Sequence, residues 1–231
     1  MNKTKKILIL GGGQAAAYAA KEIRLIDKNS DVTIISDEKY LPYEKPPLSK
    51  DYILDKVTFD DLLFFSENFY KENNIKFKGS TKITKVDFDN KKITSSLNTY
   101  EYDRLLITTG CSNRHLKING EIVLPEENII YLRNFEESNN LKNKINKAKS
   151  ITIIGGGFIG LEIASSALQK GKNVTILEKG EQLMGRVIPK QIADLILEKH
   201  ESEGTKINLN TQIKNIKKYN KTFKIYLNTN Q

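Results

Sequence analysis

A chain of 231 residues with 39% apolar content can form one large domain or two of ordinary size, each with its own core. One cysteine and two histidines exclude an internal disulfide and a Cys/His metal cluster, and no stretch is long and apolar enough to span a membrane. Net charge is +9, of which Lys199–Gln231 supplies +5; the lysines are scattered among Glu, Asp and Asn, so neither nucleic acid nor membrane is expected as a partner.

The N-terminus is basic and then apolar, like an export signal. Its apolar run, Ile7 to Leu10, is too short for one, since such a signal needs ~7–15 apolar residues, and a cytoplasmic location is expected. KILIL reads as a strand, followed by a glycine cluster and the helical pattern AAAYAAKEI. DVTIIS (Asp31–Ser36) reads as a buried parallel strand ending beside Asp37 and Glu38. LPYEKPPLSK follows. Pro42, Pro46 and Pro47 hold themselves and their predecessors in extended geometry, so the segment is expected to be a strut that presents Lys50, with Pro47 or Ser49 starting a helix.

The periodicity over Phe59–Asn73 predicts an amphipathic helix. From Ile75 to Thr109, IKFKG, KITKVDF, KKITSS and YDRLLITTG predict a meander of short strands that returns to the sheet, with a turn at Asp89-Asn90. A domain seam is expected near residues 112–120. Helices are predicted over Glu136–Lys149 and over Pro189–Glu203, with proline in the first turn of the latter. Between them SITIIGGGFIGLEIASSAL repeats the opening pattern, and NVTILE ends on Glu178. The chain closes with three meander-like strands, KINLN, QIKNIKKY and TFKIYLN.

The two glycine clusters lie 144 residues apart, too far for a solenoid repeat and suited to two βαβ units, one per domain. In a G-x-G-x-x-G turn between strand and helix, the first glycine makes the turn and the second admits a pyrophosphate. The third lets helix and strand pack closely. The diphosphate then sits at the positive end of the helix dipole. Gly155, Gly157 and Gly160 fill these places in the second copy, and Glu178 follows 23 residues after Gly155. A carboxylate there accepts the adenosine ribose hydroxyls and repels a 2′-phosphate, so NAD is expected over NADP. In the first copy the positions are Gly11, Gly13 and Ala16, and Asp37 is the expected ribose acid. The fold class expected is α/β: two Rossmann-like FAD/NAD(P)-binding βαβ domains with β-meander insertions.

LPYEKPPLSK, GGGQAA, YDRLLITTG, YLRNFEES and GGGFIGLEIA occur in order between residue 5 and about residue 218. Together they resemble the FAD-dependent ferredoxin reductases, which include the putidaredoxin, rubredoxin and dioxygenase ferredoxin reductases, within the wider pyridine nucleotide–disulfide oxidoreductase superfamily. The resemblance implies an FAD-binding domain over 1–115 and an NAD-binding domain over 116–231, incomplete at its C-terminus. It implies that Lys50 lies over the flavin near its reactive nitrogen and that Glu162 pairs with it. A cation there favours the electron-rich reduced ring, and the carboxylate limits the cost of burying it.

The same resemblance puts Gln14 and Ala15 in the diphosphate loop, the Ile83 backbone against adenine, Thr109-Gly110 in a turn against FAD, and Arg133 in contact with FAD. Glu38, Lys45, Pro46, Phe158 and Ile159 complete the implied cofactor-binding set, which contains no metal ligand. Lys45 stands where the family usually has arginine, losing a planar fork. The implied reaction passes hydride from NADH to the flavin and then single electrons to a small iron–sulfur protein, ferredoxin or similar, expected to be acidic. Relative to the family the chain reads as truncated: a further flavin-binding segment and an interface domain are not visible. Two alternatives remain at this stage. One is a truncated nucleotide-binding module without turnover. The other is a disulfide or peroxide reductase of the superfamily, which needs a redox cysteine; residues 38–60 hold none, and Cys111 reads as a loop or packing cysteine.

Overall fold

The computed structural model describes residues 4–185, 187–220 and 222–228. Contacts divide the chain into two compact units. The first comprises Met1–Lys45 and Thr58–Cys111; the second comprises Pro46–Val57 and Ser112–Gln231.

The first unit begins with β1 (Lys6–Leu10), α1 (Gln14–Ile26) and β2 (Asp31–Ile35). After α2 (Glu67–Glu72) come β3 (Ile75–Lys78), β4 (Ile83–Asp87), β5 (Lys92–Ser95), β6 (Thr99–Glu101) and β7 (Arg104–Ile107). The parallel sheet has the order β3-β2-β1-β7, and β4-β5-β6 form an antiparallel meander. Its core explains why β1 is apolar from Ile7 to Leu10. Ile7 and Ile9 face α1 and α2 with Ala16, Ala20 and Tyr70, while Leu8 and Leu10 face the meander with Ile93 and Tyr102. A parallel strand covered on both faces has no polar side to show.

Two expectations are corrected here. IKFKG is not part of the meander: β3 pairs in parallel with β2, Val32 opposite Ile75. Nor is Phe59–Asn73 one helix. Asp60–Leu62 forms a single 3-10 turn, and α2 starts afresh at Ser66, whose hydroxyl accepts from the Phe69 N–H. The cause is non-local. Glu44 donates to the Leu62 carbonyl, Phe64 donates to the Pro42 carbonyl, and Tyr43 bridges Leu63, so the backbone between the two pieces is drawn out into extended pairing.

The second unit contains the hairpin β8 (Lys117–Ile118) and β9 (Glu121–Ile122), α3 (Phe135–Lys147), β10 (Ser150–Ile154), α4 (Phe158–Gln169) and β11 (Asn173–Leu177). It continues with α5 (Lys190–Ser202), β12 (Lys206–Asn208) and the hairpin β13 (Gln212–Tyr219) and β14 (Thr222–Asn228). Its parallel sheet has the order β10-β11-β12, so KINLN joins the sheet rather than a meander. Pro189 is the residue before the first turn of α5 rather than inside it. The core gathers Leu161, Ala164, Val174, Ile176 and Ile145 around Ile53, which arrives on the inserted Pro46–Val57 strap. The strap opens with a 3-10 turn over Pro46–Ser49, so its proline pair begins a tight turn and not the expected extended strut. Proline's fixed φ suits either conformation. Among the described residues, no helix is long and apolar enough to cross a membrane.

Candidate functional site

Each unit carries one glycine loop between its first parallel strand and the following helix. In the first, the Gly11 N–H donates to the Ile35 carbonyl at 2.8 Å; in the second, Gly155 donates to Leu177 at 2.9 Å. Both glycines are left-handed, with φ of 117° and 104°. Gly11 also has no room, because a Cβ there would lie 2.3 Å from the Thr108 carbonyl oxygen. Gly160, the third glycine of the second loop, would put a Cβ 2.2 Å from the Gly155 oxygen. Ala16 occupies that place in the first unit, fully buried in the core.

Gly13 and Gly157, the residues before α1 and α4, face open space: a Cβ on either meets nothing within 4 Å. Neither helix has a side-chain cap or an acidic residue in its first turn. Helix α3 differs sharply, with an Asn134–Glu137 capping box and Glu136 beside it. The first-turn N–H groups of α1 and α4 therefore lack the side-chain partner that helices ordinarily recruit. Open space, N–H groups and a positive dipole end are what a diphosphate requires. Gln14 and Ala15 are exposed at this end of α1, and Phe158 and Ile159 are 56% and 49% exposed at that of α4.

The strand-end acids are held differently. Glu178 bridges its own loop, accepting from the Gly156 N–H at 2.6 Å and from the Gly180 N–H at 2.6 Å. Both carboxylate oxygens keep lone pairs for a further donor. In the first unit the residue directly after the strand is Ser36, whose hydroxyl accepts from the Glu38 N–H. Glu38 takes hydrogen bonds from the Tyr43 hydroxyl and the Lys45 ammonium, while Asp37 is exposed. Lys45 is thus committed to Glu38 and also lies over the Tyr43 ring.

Lys50 and Glu162, 112 residues apart in sequence, meet within the second unit. The Lys50 ammonium donates to Glu162 Oε1 at 2.7 Å, and the Ser49 hydroxyl donates to Oε2 at 2.5 Å. The pair is half open, with side chains 43% and 28% exposed. Two buried hydroxyls seat the strap beneath it. Ser138 on α3 donates to the Leu48 carbonyl at 2.6 Å, and Ser166 on α4, one turn beyond Glu162, donates to the Ser49 carbonyl at 2.8 Å. Further along, the Tyr52 hydroxyl donates to Asn139, and Asp55 takes ammoniums from Lys142 and Lys170. Pro46, exposed, only opens the turn.

Sequence reasoning missed Ser138, Ser166 and Asp55, and gave Ser49 as a helix start without its bond to Glu162. Serine in an apolar helix face, as at Ser166 in IASSAL, is the one local hint. It missed Thr108 as well, which donates to the Leu10 carbonyl through both its N–H and its hydroxyl, and closes on Gly11. The remaining predicted residues are dispersed. Ile83 opens β4 beside a bulge in its pairing with β5, and Thr109 and Gly110 lie exposed past β7, Gly110 with φ of 67°. Arg133 precedes α3, its N–H donating to Glu137 and its guanidinium without a hydrogen-bonding partner among the described residues. Cys111 is an exposed free thiol.

Two glycine loops, each joining a parallel strand to a helix on its own sheet, define a Rossmann-like class of fold, and the wider comparison agrees. Residues 5–231 match the pyridine nucleotide-disulphide oxidoreductases, and the chain belongs to that family. It is 33% identical over 212 residues to the rubredoxin-NAD(+) reductase of Pseudomonas putida, covering 91% of this chain and 54% of that one. It is 32% identical over 230 residues to the 3-phenylpropionate/cinnamic acid dioxygenase ferredoxin–NAD(+) reductase component of Photorhabdus laumondii, covering 99% and 57%. Among solved structures, the covalent putidaredoxin reductase–putidaredoxin complex superposes with a TM-score of 0.92 at 26% identity, over 98% of this chain and 55% of that one. The ferredoxin reductase for the CYP199A2 system of Rhodopseudomonas palustris gives 0.89 at 30% identity, over 97% and 55%. The α/β, Rossmann-like fold expected from the sequence is borne out. The chain spans about half the length of the curated relatives it matches.

Proposed function

We propose that this chain carries the FAD- and NADH-binding portions of a flavoprotein reductase that serves a small iron–sulfur protein. The observation that carries the reading is the Lys50–Glu162 pair, assembled at 2.7 Å from two distant motifs and seated by buried serines. FAD, when bound, accepts hydride from NADH and releases its electrons one at a time. The relatives named as rubredoxin and ferredoxin reductases support an iron–sulfur acceptor.

The chain's own residues bind and orient. Gly11, Gly13 and the first turn of α1 would hold the flavin diphosphate; Gly155, Gly157 and the first turn of α4 would hold that of NADH. Glu38, oriented by Tyr43 and Lys45, and the exposed Asp37 stand where the first ribose would lie. Glu178 serves the second ribose, with each oxygen still able to accept, and disfavours a 2′-phosphate. The Lys50 ammonium supplies positive charge for an electron-rich ring, and Glu162 with Ser49 fixes its position. Ile83, Thr109, Gly110 and Arg133 would complete the flavin contacts. No nucleophile or general base is required, because such catalysis is positioning.

The test is spectroscopic. The purified chain is expected to carry yellow flavin that NADH bleaches anaerobically, with NADPH much less effective. Lys50→Met should keep the melting temperature nearly unchanged, since so exposed a pair contributes at most about 1 kcal/mol. It should slow bleaching by about tenfold or more. A colourless chain that NADH nevertheless stabilises overturns turnover in favour of a binding module.

A further inference from the structure

The hairpin β13–β14 differs from the rest of the surface in its charge. Gly204–Gln231 contains six lysines, no Asp or Glu and no arginine. Elsewhere several exposed lysines are paired with carboxylates, as in Lys71–Glu67, Lys76–Asp31, Lys92–Glu101, Lys190–Asp194 and Lys199–Glu203. Among the described residues no hairpin lysine has such a partner. Two of them, Lys217 and Lys224, are register partners directly across the hairpin. Like charges in that arrangement cost stability.

The exposed face is ordered all the same. Lys224 lies 4.0 Å from the centre of the Tyr219 ring and Lys217 lies 5.7 Å from that of Tyr226, so the two ammoniums are held over tyrosines. Beside them Lys214, Lys217, Asn215 and Tyr226, with Asn119 of the β8–β9 turn, line a pocket of about 250 Å³. The lining offers two ammoniums, two amides and a phenol, and no carboxylate. Everything that converges there can donate to an anion.

We propose that this face is a docking surface for an acidic protein segment, with carboxylate side chains entering the pocket between Lys214 and Lys217. Charge complementarity selects an anion, and three details select a polypeptide. Each of the two tyrosines carries an ammonium over one face of its ring, so that face is not open to a stacking base. The ammoniums of Lys214, Lys217, Lys218 and Lys224 are spread along the hairpin as separate point charges, which suits carboxylates spaced along a chain. The amides of Asn119 and Asn215 add neutral hydrogen bonding of the kind a peptide also satisfies. The unrelieved Lys217–Lys224 pair fits a surface completed by its partner. None of this depends on flavin or NADH binding.

The experiment titrates the full chain with a short fluorescent poly-L-glutamate, and in parallel with oligo-dT of matched length, phosphatidylserine vesicles and inorganic tripolyphosphate. Poly-L-glutamate is expected to bind, more weakly as salt rises. The double reversal Lys217→Glu with Lys224→Glu should weaken it about tenfold. The control Lys28→Glu with Lys82→Glu, exposed residues of the first unit carrying the same change in net charge, should change it less than about threefold. The single change Lys217→Glu makes an opposite-charge register pair, so it should raise the melting temperature while weakening binding. Equal losses in hairpin and control variants overturn the proposal. So does hairpin-dependent binding of oligo-dT, vesicles or tripolyphosphate in preference to poly-L-glutamate. A fall in melting temperature for Lys217→Glu overturns it too, since Lys217 would then be a packing residue.

Discussion

The two glycine loops share a backbone and differ in what lies beneath them. In both, the first glycine is left-handed and donates to the carbonyl at the end of the neighbouring strand. Under the first loop sits the hydroxyl of Ser36, 2.5 Å from where a Cβ on Gly12 would be; under the second sits the carboxylate of Glu178, bonded to the Gly156 N–H itself. The third position is a buried alanine in one and an obligatory glycine in the other. The geometry that makes room for a diphosphate is thus common, while the group that would meet the ribose is particular to each loop. In the second loop the acid also holds the loop shut. In the first, the acid lies two residues further on and is held by a tyrosine and a lysine.

The sharpest test of this contrast is steric. Gly160→Ala places a methyl carbon 2.2 Å from a backbone oxygen, and Gly11→Ala places one 2.3 Å from another at a φ that alanine resists. Neither backbone can give way cheaply, so each is expected to cost roughly 2–4 kcal/mol in denaturant melts. Ala16→Gly, at the position matching Gly160, should cost only about 1 kcal/mol through helix propensity and a lost core methyl. Equal losses at Ala16 and Gly160 would mean that the two helices seat on their loops alike.

The acids give the next largest effect. Glu178→Gln keeps the size of the side chain but turns an amide NH₂ toward one of two N–H donors, leaving it unpaired. About 1–3 kcal/mol of stability should go, and NADH affinity should fall about tenfold by calorimetric titration. Ser36→Ala removes one acceptor from the Glu38 N–H and should cost about 1 kcal/mol with no effect on NADH. NADPH binding more tightly than NADH to the unaltered chain would remove Glu178 from the ribose site.

Much of this was legible in residue order, and the misses share a cause. Strands β1, β2, β10 and β11 were readable because a strand covered on both faces is largely apolar, as in ILIL and VTII, whereas the half-polar IKFKG and KINLN read as meander strands and joined the parallel sheets instead. The loops were readable because glycine marks positions that tolerate no Cβ. The Lys50–Glu162 pairing came from resemblance to a family, since nothing in local periodicity links residues so far apart. What failed was whatever depends on distant backbone. The break between Asp60–Leu62 and α2 is imposed by pairing with residues 42–44, and the amphipathic pattern of FDDLLFFSENFYKEN does not record it. Ser138 and Ser166 look like ordinary polar helix residues until their carbonyl partners arrive from the strap. Glu178 was readable as an acid at a strand end, but not as a group satisfied by its own loop.

The smallest effect expected concerns how the chain is tied down on either side of the passage from the first unit into the second. Before it, Glu38 holds Lys45 and Tyr43; after Lys50, Asp55 holds Lys142 and Lys170. Hydrogen bonds from Lys142 and then Lys170 hold the Asp55 carboxyl below its ordinary value. A depressed carboxylate stabilises the fold above its unfolded pKa of about 3.9, and that contribution is lost as pH falls through the lower folded value. Asp55 is 54% exposed, so solvent screening keeps the gain under about 1 kcal/mol. Asn suits the test, because residue 55 is left-handed at φ of 61° and asparagine tolerates that conformation. Asp55→Asn should therefore destabilise the chain slightly at neutral pH, with the difference closing below about pH 4. Hydrogen exchange should quicken at Tyr52, Leu54 and Lys56, whose N–H groups bond within the strap, and stay unchanged in β1 and β2. Faster exchange in the first unit as well would mean that the Asp55 tie stabilises more of the chain than the strap that carries Lys50.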